Sequence, residues 1–146
     1  MVNNSRLAVS VHLLAYLAHK AGKPVTSTEL ASSVGTNPVV IRRILSDLRR
    51  SRLVSAHKGA AGGFDLASRP EQITLLDVYR AVEPLVSPGL ARFSPNTRCP
   101  VGSRIGGILE KAFFKAQSGM EVELQRITIA DIEGQLKDIC PSTVKP

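Results

Sequence analysis

Residues 26–66 read TSTELASSVGTNPVVIRRILSDLRRSRLVSAHKGAAGGFDL, and the order of signals in this stretch decides the fold. Thr26 with Glu29 three residues on is a capping-box pattern, in which side chains and backbone donors at a helix start satisfy one another. The short helix it opens, through Leu30 and Ala31, is expected to stop at Gly35. Asn37-Pro38 then supplies an N-cap followed by a residue whose φ is already set for the first helical turn. This next helix is expected to run to about Arg50. In it Ile41, Ile44, Leu45 and Leu48 recur at helical spacing and form one stripe, while Arg42, Arg43, Ser46, Arg49 and Arg50 fall on the other side. Leu53 to His57, the turn Lys58-Gly59-Ala60-Ala61-Gly62-Gly63 and Phe64 to Leu66 read as a hairpin, with Leu53, Phe64 and Leu66 turned inward.

Helix, tight turn, helix and glycine-rich hairpin is the order of a winged helix-turn-helix. Between Asn37 and Lys58 six basic residues meet a single acid, Asp47. A helix that needed only solubility would intersperse both signs and gain i,i+4 pairs. A one-signed face next to the hairpin therefore points to docking on nucleic acid. The hairpin tip fits that reading. Gly59, Gly62 and Gly63 are expected to visit positive φ and let backbone approach a phosphate, and Lys58 adds charge.

Length and composition bound the rest. The chain has 146 residues and a formal charge of +7, enough for one domain plus an oligomerisation element and favouring an acidic partner, nucleic acid before membrane. No apolar run approaches the ~20 residues of a membrane span. Two cysteines, Cys99 and Cys140, make no disulfide framework; with no signal peptide apparent, a cytoplasmic, nucleoid-associated location is expected.

Outward from the opening stretch, Ser5 is expected to cap a first helix to about Ala21, ended by Gly22 and Pro24. Leu7, Val9, Val11, Leu13, Leu14 and Leu17 make it apolar on most sides, so it is buried all round or faces both its own domain and a partner. Thr74 with Asp77 caps a short helix to about Val82, expected to pack only against the first. Pro84, Pro88, Gly89, Pro95 and Pro100 make 83–99 a loop or linker where an effector pocket could sit. A long helix begins at Cys99-Pro100 and runs to about Arg126, with Val101, Ile105, Leu109, Ala112, Phe113, Ala116 and Met120 on one face. Phe114 and Val122 lie off that face, as in a helix that packs on its own domain and on a second subunit. Thr128 with Asp131 caps a last helix over about Ile129 to Lys137, and the tail from Cys140-Pro141 is expected to fray. The division is 1–82 DNA-binding domain, 83–99 linker and 100–146 dimerisation helices and tail.

Asn-Pro-Val-Val-Ile-Arg-Arg-Ile-Leu at 37–45, Leu-Arg-Arg-Ser-Arg-Leu-Val at 48–54, Lys-Gly-Ala-Ala-Gly-Gly-Phe-Asp-Leu-Ala at 58–67 and Ile-Thr-Leu-Leu-Asp-Val-Tyr at 73–79 together resemble the Rrf-two family of bacterial winged-helix transcription regulators. Cys-Pro-Val-Gly at 99–102 and Thr-Ile-Ala-Asp at 128–131 resemble its YwnA-like branch. The resemblance covers nearly the whole chain. It implies a mainly α winged helix-turn-helix fold with a small β-hairpin wing, and a homodimer joined through the long helix near Cys99 on a near-palindromic operator. It carries DNA contacts over to Thr36, Asn37, Val39, Val40, Arg42 and Arg43, with His57, Lys58 and Gly59 in the wing. Family members that hold an iron–sulfur cluster use three closely spaced cysteines before the long helix. Here only Cys99 stands there, so no cofactor is expected.

The residue chemistry divides the labour on double-stranded DNA. Arg42 or Arg43 can read guanine bidentately and Val39 or Val40 can meet a thymine methyl, while Arg49, Arg50 and Lys58 hold phosphates. Without a visible activation surface, repression by occlusion is the default. Cys99, beside Arg98 and at a helix start, is a candidate redox sensor, since both features favour thiolate. A basic RNA- or single-strand-binding module is the alternative, but no aromatic residue interleaves with the arginines to stack bases. No metal-ligand spacing, phosphate-cradling loop or nucleophile–base set suggests an enzyme, and His12, His19 and His57 are scattered without acidic neighbours. No residue pattern identifies an effector.

Overall fold

A computed structural model describes residues 5–83 and 92–139. In chain order these form α1 (Arg6–His19), α2 (Ser27–Val34), α3 (Pro38–Arg50), β1 (Val54–His57), β2 (Gly63–Leu66), a 3-10 turn at Pro70–Gln72, α4 (Leu75–Val82), α5 (Gly102–Arg126) and α6 (Ile129–Ile139). The proline-rich segment read as linker lies partly at 84–91, and the tail from Cys140 lies wholly beyond 139; both fall outside the described residues.

One core joins all the helices but α5. Leu13, Leu14 and Leu17 of α1, Leu30 of α2 and Ile41, Ile44, Leu45 and Leu48 of α3 are all at most 2% exposed, with Val54, Ile73, Val78 and Ile129 beside them. Each aliphatic side chain so buried contributes roughly 1.5–3 kcal/mol. β1 and β2 pair antiparallel, Val54 opposite Leu66 and His57 opposite Gly63. Val25, between α1 and α2, adds a third rung: its N–H and C=O bond Phe64 at 2.8 Å in both directions.

Helix boundaries follow local chemistry. Asn37 Oδ1 accepts from Val39 N–H at 2.8 Å, and Gly35 closes α2 in the left-handed region at φ +76°. Thr74 and Asp77 form the full capping box, and Thr128 and Asp131 exchange the same two bonds at the start of α6. Five expectations need correction. α1 ends at His19, because Ala21 and Gly22 turn to positive φ, and Ser5 precedes it without a side-chain cap bond. Thr26 caps α2, but Glu29 does not reciprocate: its carboxylate takes the Tyr16 hydroxyl and the Lys20 ammonium instead, at 2.8 and 2.9 Å. α5 starts at Gly102 rather than at Cys99-Pro100, which lie in the preceding turn. α4 packs on α3 and α5 as well as on α1.

The long helix also differs in its faces. No residue of α5 is buried. Ile105, Leu109, Phe113, Gln117, Glu121 and Leu124 are its half-buried line, whereas Val101, Ala112, Ala116 and Met120 are exposed. Gln117 Nε2 reaches the Tyr79 hydroxyl at 3.2 Å and Arg80 pairs with Glu121 at 3.0 Å, so the seam with α4 is partly polar. α6 then returns to pack along α1. No helix among the described residues is long and apolar enough to cross a membrane.

Because Ile129 is fully enclosed by elements distant in sequence, Ile129→Ala is expected to cost about 2–5 kcal/mol, in the range of a central core truncation such as Leu45→Ala. Urea unfolding followed by circular dichroism checks this; a loss below about 0.5 kcal/mol would mean that α6 is not part of the core.

Candidate nucleic-acid interface

The burial of Ile41, Ile44, Leu45 and Leu48 fixes the rotation of α3, and the helical period then turns Arg42, Arg43, Arg49 and Arg50 to solvent. Asp47 is the one acid on this helix, and it is already engaged: Arg6 of α1 holds one carboxylate oxygen and Arg50 lies 3.4 Å from the other. The side chains of Arg42, Arg43 and Arg49 make no hydrogen bond or ion pair among the described residues. Val39 and Val40, in the first turn, are 47% and 44% exposed, which is unusual for valine on a helix with so full a core face. Asn37 is exposed and Thr36 half-buried in the turn from α2, where its N–H bonds Ala31 O at 3.0 Å. The residues expected on this helix and turn therefore share one surface.

In the hairpin, His57, Lys58 and Gly59 are exposed and continue from β1 into the tip. Gly59 and Gly63 adopt φ +100° and +153°. Gly62 does not; it is glycine for another reason, since a Cβ there would collide with the carbonyl oxygen of His57. His57 also has the acidic neighbour that the linear sequence hid. Asp65, diagonal to it across the two strands, puts Oδ1 3.0 Å from His57 Nε2. Of the other histidines, His12 Nε2 meets Ser33 Oγ at 2.8 Å and ties α1 to α2.

Cys99 is exposed and unpaired. The backbone N–H groups of Gly102 and Val101 point at its sulfur and lower the thiol below its ordinary value. The expected help from Arg98 is not among the causes; the start of α5 supplies the effect. Gly102 allows this close turn, because a Cβ there would collide with Asn96 O. The described residues bring together no group of three or more His, Cys, Asp or Glu that could hold a metal ion. The loop 83–99, where an effector pocket could sit, lies partly outside the described residues. An apolar groove of about 540 Å³ lies between α1 and α6, with Val11, Tyr16, Ile132 and Leu136 in its walls.

The profile of the Rrf2 family, described as an iron-dependent transcriptional regulator, matches residues 3–134. The chain belongs to the Rrf2 family. It is 37% identical over 133 residues to YwnA of Bacillus subtilis, named an HTH-type transcriptional regulator, covering 91% of this chain and 98% of that one. Among solved structures it is similar to a transcriptional regulator from Lactobacillus plantarum, with a TM-score of 0.79, 28% identity and coverage of 91% and 90% of the two chains. A second, described as a DNA-binding protein, has 35% identity and a TM-score of 0.70 over 88% of this chain and 98% of that one. The Rrf2 family and these relatives are transcriptional regulators, not enzymes, and DNA binding follows from that membership.

Since the α5 start stabilises the thiolate, alkylation of Cys99 by iodoacetamide in a Cys140→Ser background is expected to reach half its maximal rate at a lower pH than a free peptide thiol does. Gly102→Ala should move that midpoint back up. Identical profiles for protein and peptide would show that the two N–H groups have no effect on reactivity.

Proposed function

We propose that the chain is a cytoplasmic, homodimeric repressor that binds a near-palindromic operator in double-stranded DNA. The observation that carries this reading is the face of α3: a core stripe locked inward and three arginines, Arg42, Arg43 and Arg49, exposed with no carboxylate partner among the described residues. Unpaired guanidinium groups on a rigid helix are suited to guanine edges and phosphates, and the exposed Val39 and Val40 to a thymine methyl. Arg50, Lys58 and the wing backbone at Gly59 supply further phosphate contacts, with Thr36, Asn37 and His57 at the margins.

Dimerisation is supported by α5. Its half-buried line faces α4, yet Ile108, Phe114 and Val122 are 62%, 73% and 48% exposed on other sides. Val101, Ile105, Ile108, Ala112, Lys115, Gly119 and Val122 recur at alternating steps of four and three residues, the spacing of a helix–helix seam. A parallel pair in register would set Lys115 against its own copy, so the antiparallel arrangement is favoured. In functional terms 1–82 contacts DNA, 83–99 links and 100–146 dimerises, with α6 anchoring the dimer helix back on α1. A single cysteine, Cys99, stands before α5 where cluster-holding members of the family have three, and this reading therefore invokes no iron–sulfur cluster. Cys99 is the candidate switch, its oxidation or alkylation shifting α5 and loosening DNA.

Selection of bound duplexes from a random pool should return half-sites about one helical turn, ~34 Å, or a multiple of it apart. On that operator, Arg42→Ala or Arg43→Ala is expected to cost about 1–3 kcal/mol per half-site at one base position, and Arg49→Ala to weaken all sequences alike and flatten the salt dependence. Ile108→Glu should give monomers by light scattering and lose tight binding. One unsymmetrical site bound by a monomer would sink the dimer reading. Unchanged operator release by peroxide in Cys99→Ser would remove the thiol switch.

A further inference from the structure

We propose that Asp65 is a positioning residue that holds His57 as a proton-dependent phosphate contact in the wing. The proposal rests on the DNA-binding reading above and adds a residue and a pH dependence to it.

His57 ends β1, and Asp65 stands on β2 one pair away, Ser55 opposite Asp65 and His57 opposite Gly63, so both side chains leave the same face of the hairpin. Their accessibilities differ. The His57 side chain is 47% exposed and that of Asp65 only 21%, and Asp65 Oδ1 is shut off from solvent with no aligned hydrogen bond. A carboxylate oxygen removed from water requires a donor. The group in reach is His57 Nε2, at 3.0 Å. Asp65 thus selects the ring with a proton on Nε2 and leaves Nδ1 for the exposed side.

The consequence follows from imidazole chemistry. In the neutral ring, a proton on Nε2 makes Nδ1 an acceptor, which repels a phosphate oxygen. In the imidazolium both nitrogens donate, one to Asp65 and one to phosphate. DNA binding and the buried carboxylate therefore favour the same protonated state, and the wing takes up a proton as it docks. Lys58 follows His57 in the chain, and α3, which packs on β1, carries Arg42, Arg43 and Arg49 on its exposed side. Asp47 of α3 is held by Arg6 and Arg50. His12 and His19 on α1, the other two histidines of the chain, serve as controls.

The test is fluorescence anisotropy of the full chain on a labelled duplex about two turns long, at constant ionic strength, between about pH 5 and 8. Wild-type affinity is expected to fall as pH rises through the histidine range, by up to about tenfold per pH unit for each wing that docks. His57→Gln should bind weakly with a flat profile. Asp65→Asn should lose affinity at the acid end and flatten the profile, and Asp65→Glu should restore part of both; His12→Gln with His19→Gln should leave the slope intact. A flat wild-type profile, a slope that survives His57→Gln, or an Asp65→Asn profile like wild type overturns the proposal, while loss of affinity in Arg42→Ala keeps the DNA reading standing. No binding at any pH, or binding indifferent to Arg42→Ala, means instead that the DNA reading itself has failed.

Discussion

The burial of four side chains on one stripe of α3 is the constraint on which the rest of the molecule depends. Ile41, Ile44, Leu45 and Leu48 sit against Leu13, Leu14 and Leu17 of α1, and turning α3 by even one residue step would bring an arginine toward that core. The loss of aliphatic burial and the desolvation of a guanidinium would each cost several kcal/mol, so the helix has one rotational setting. The cationic face is the geometric complement of the apolar one. Asp47, placed between the two, is pulled to the edge of the core by Arg6, which also donates to Val82 O near the end of α4. The single acid on the helix is thereby spent on fixing its position and does not dilute the charge presented outward.

Much of this was legible because it is local. Asn37-Pro38, Thr74 with Asp77 and Thr128 with Asp131 mark helix starts through hydrogen bonds that span two or three residues, and a 3.6-residue period sorts α3 into faces without knowledge of its neighbours. What escaped the sequence depends on partners far along the chain. Glu29 had a local role waiting in the capping box, but Tyr16 and Lys20 compete for it from α1. Gly62 looked like one more flexible turn residue, although its φ is not positive and its missing Cβ matters because His57 O is there. Asp65 is eight residues from His57 in sequence and becomes its neighbour only when the hairpin sets the register.

On α5 the failure was of a different kind. A helix with apolar residues at Val101, Ile105, Ile108, Leu109, Ala112, Phe113 and Ala116 has a stripe too wide for its period to say which part meets the domain. α4 decides it. Tyr79 and Arg80 offer polar partners, so the inner line runs through Gln117 and Glu121 as well as Ile105, Leu109, Phe113 and Leu124, while Ile108, Phe114 and Val122 stay outside. The Gln117 amide and, after it, the Arg80 guanidinium hold the Glu121 carboxyl below its ordinary range. Ile108, Phe114 and Val122, exposed among charged neighbours, are the apolar residues that the dimer proposed above would cover.

The same seam bears on how a signal at Cys99 would travel. The thiol lies in the turn whose N–H groups open α5, and α5 packs on α4, which in turn packs on α3. No side chain of α5 is fully buried, so its position on α4 rests on a few directional contacts and on half-buried Ile105, Leu109, Phe113 and Leu124. A close-packed core resists small displacements, whereas a partly polar seam can exchange its hydrogen bonds with water at little net cost. A shift of α5 would thus move the spacing of two recognition helices in a dimer while leaving each domain folded. In the dimer proposed above, operator affinity would depend on the geometry of α5 on α4 more than on the stability of each helix-turn-helix domain.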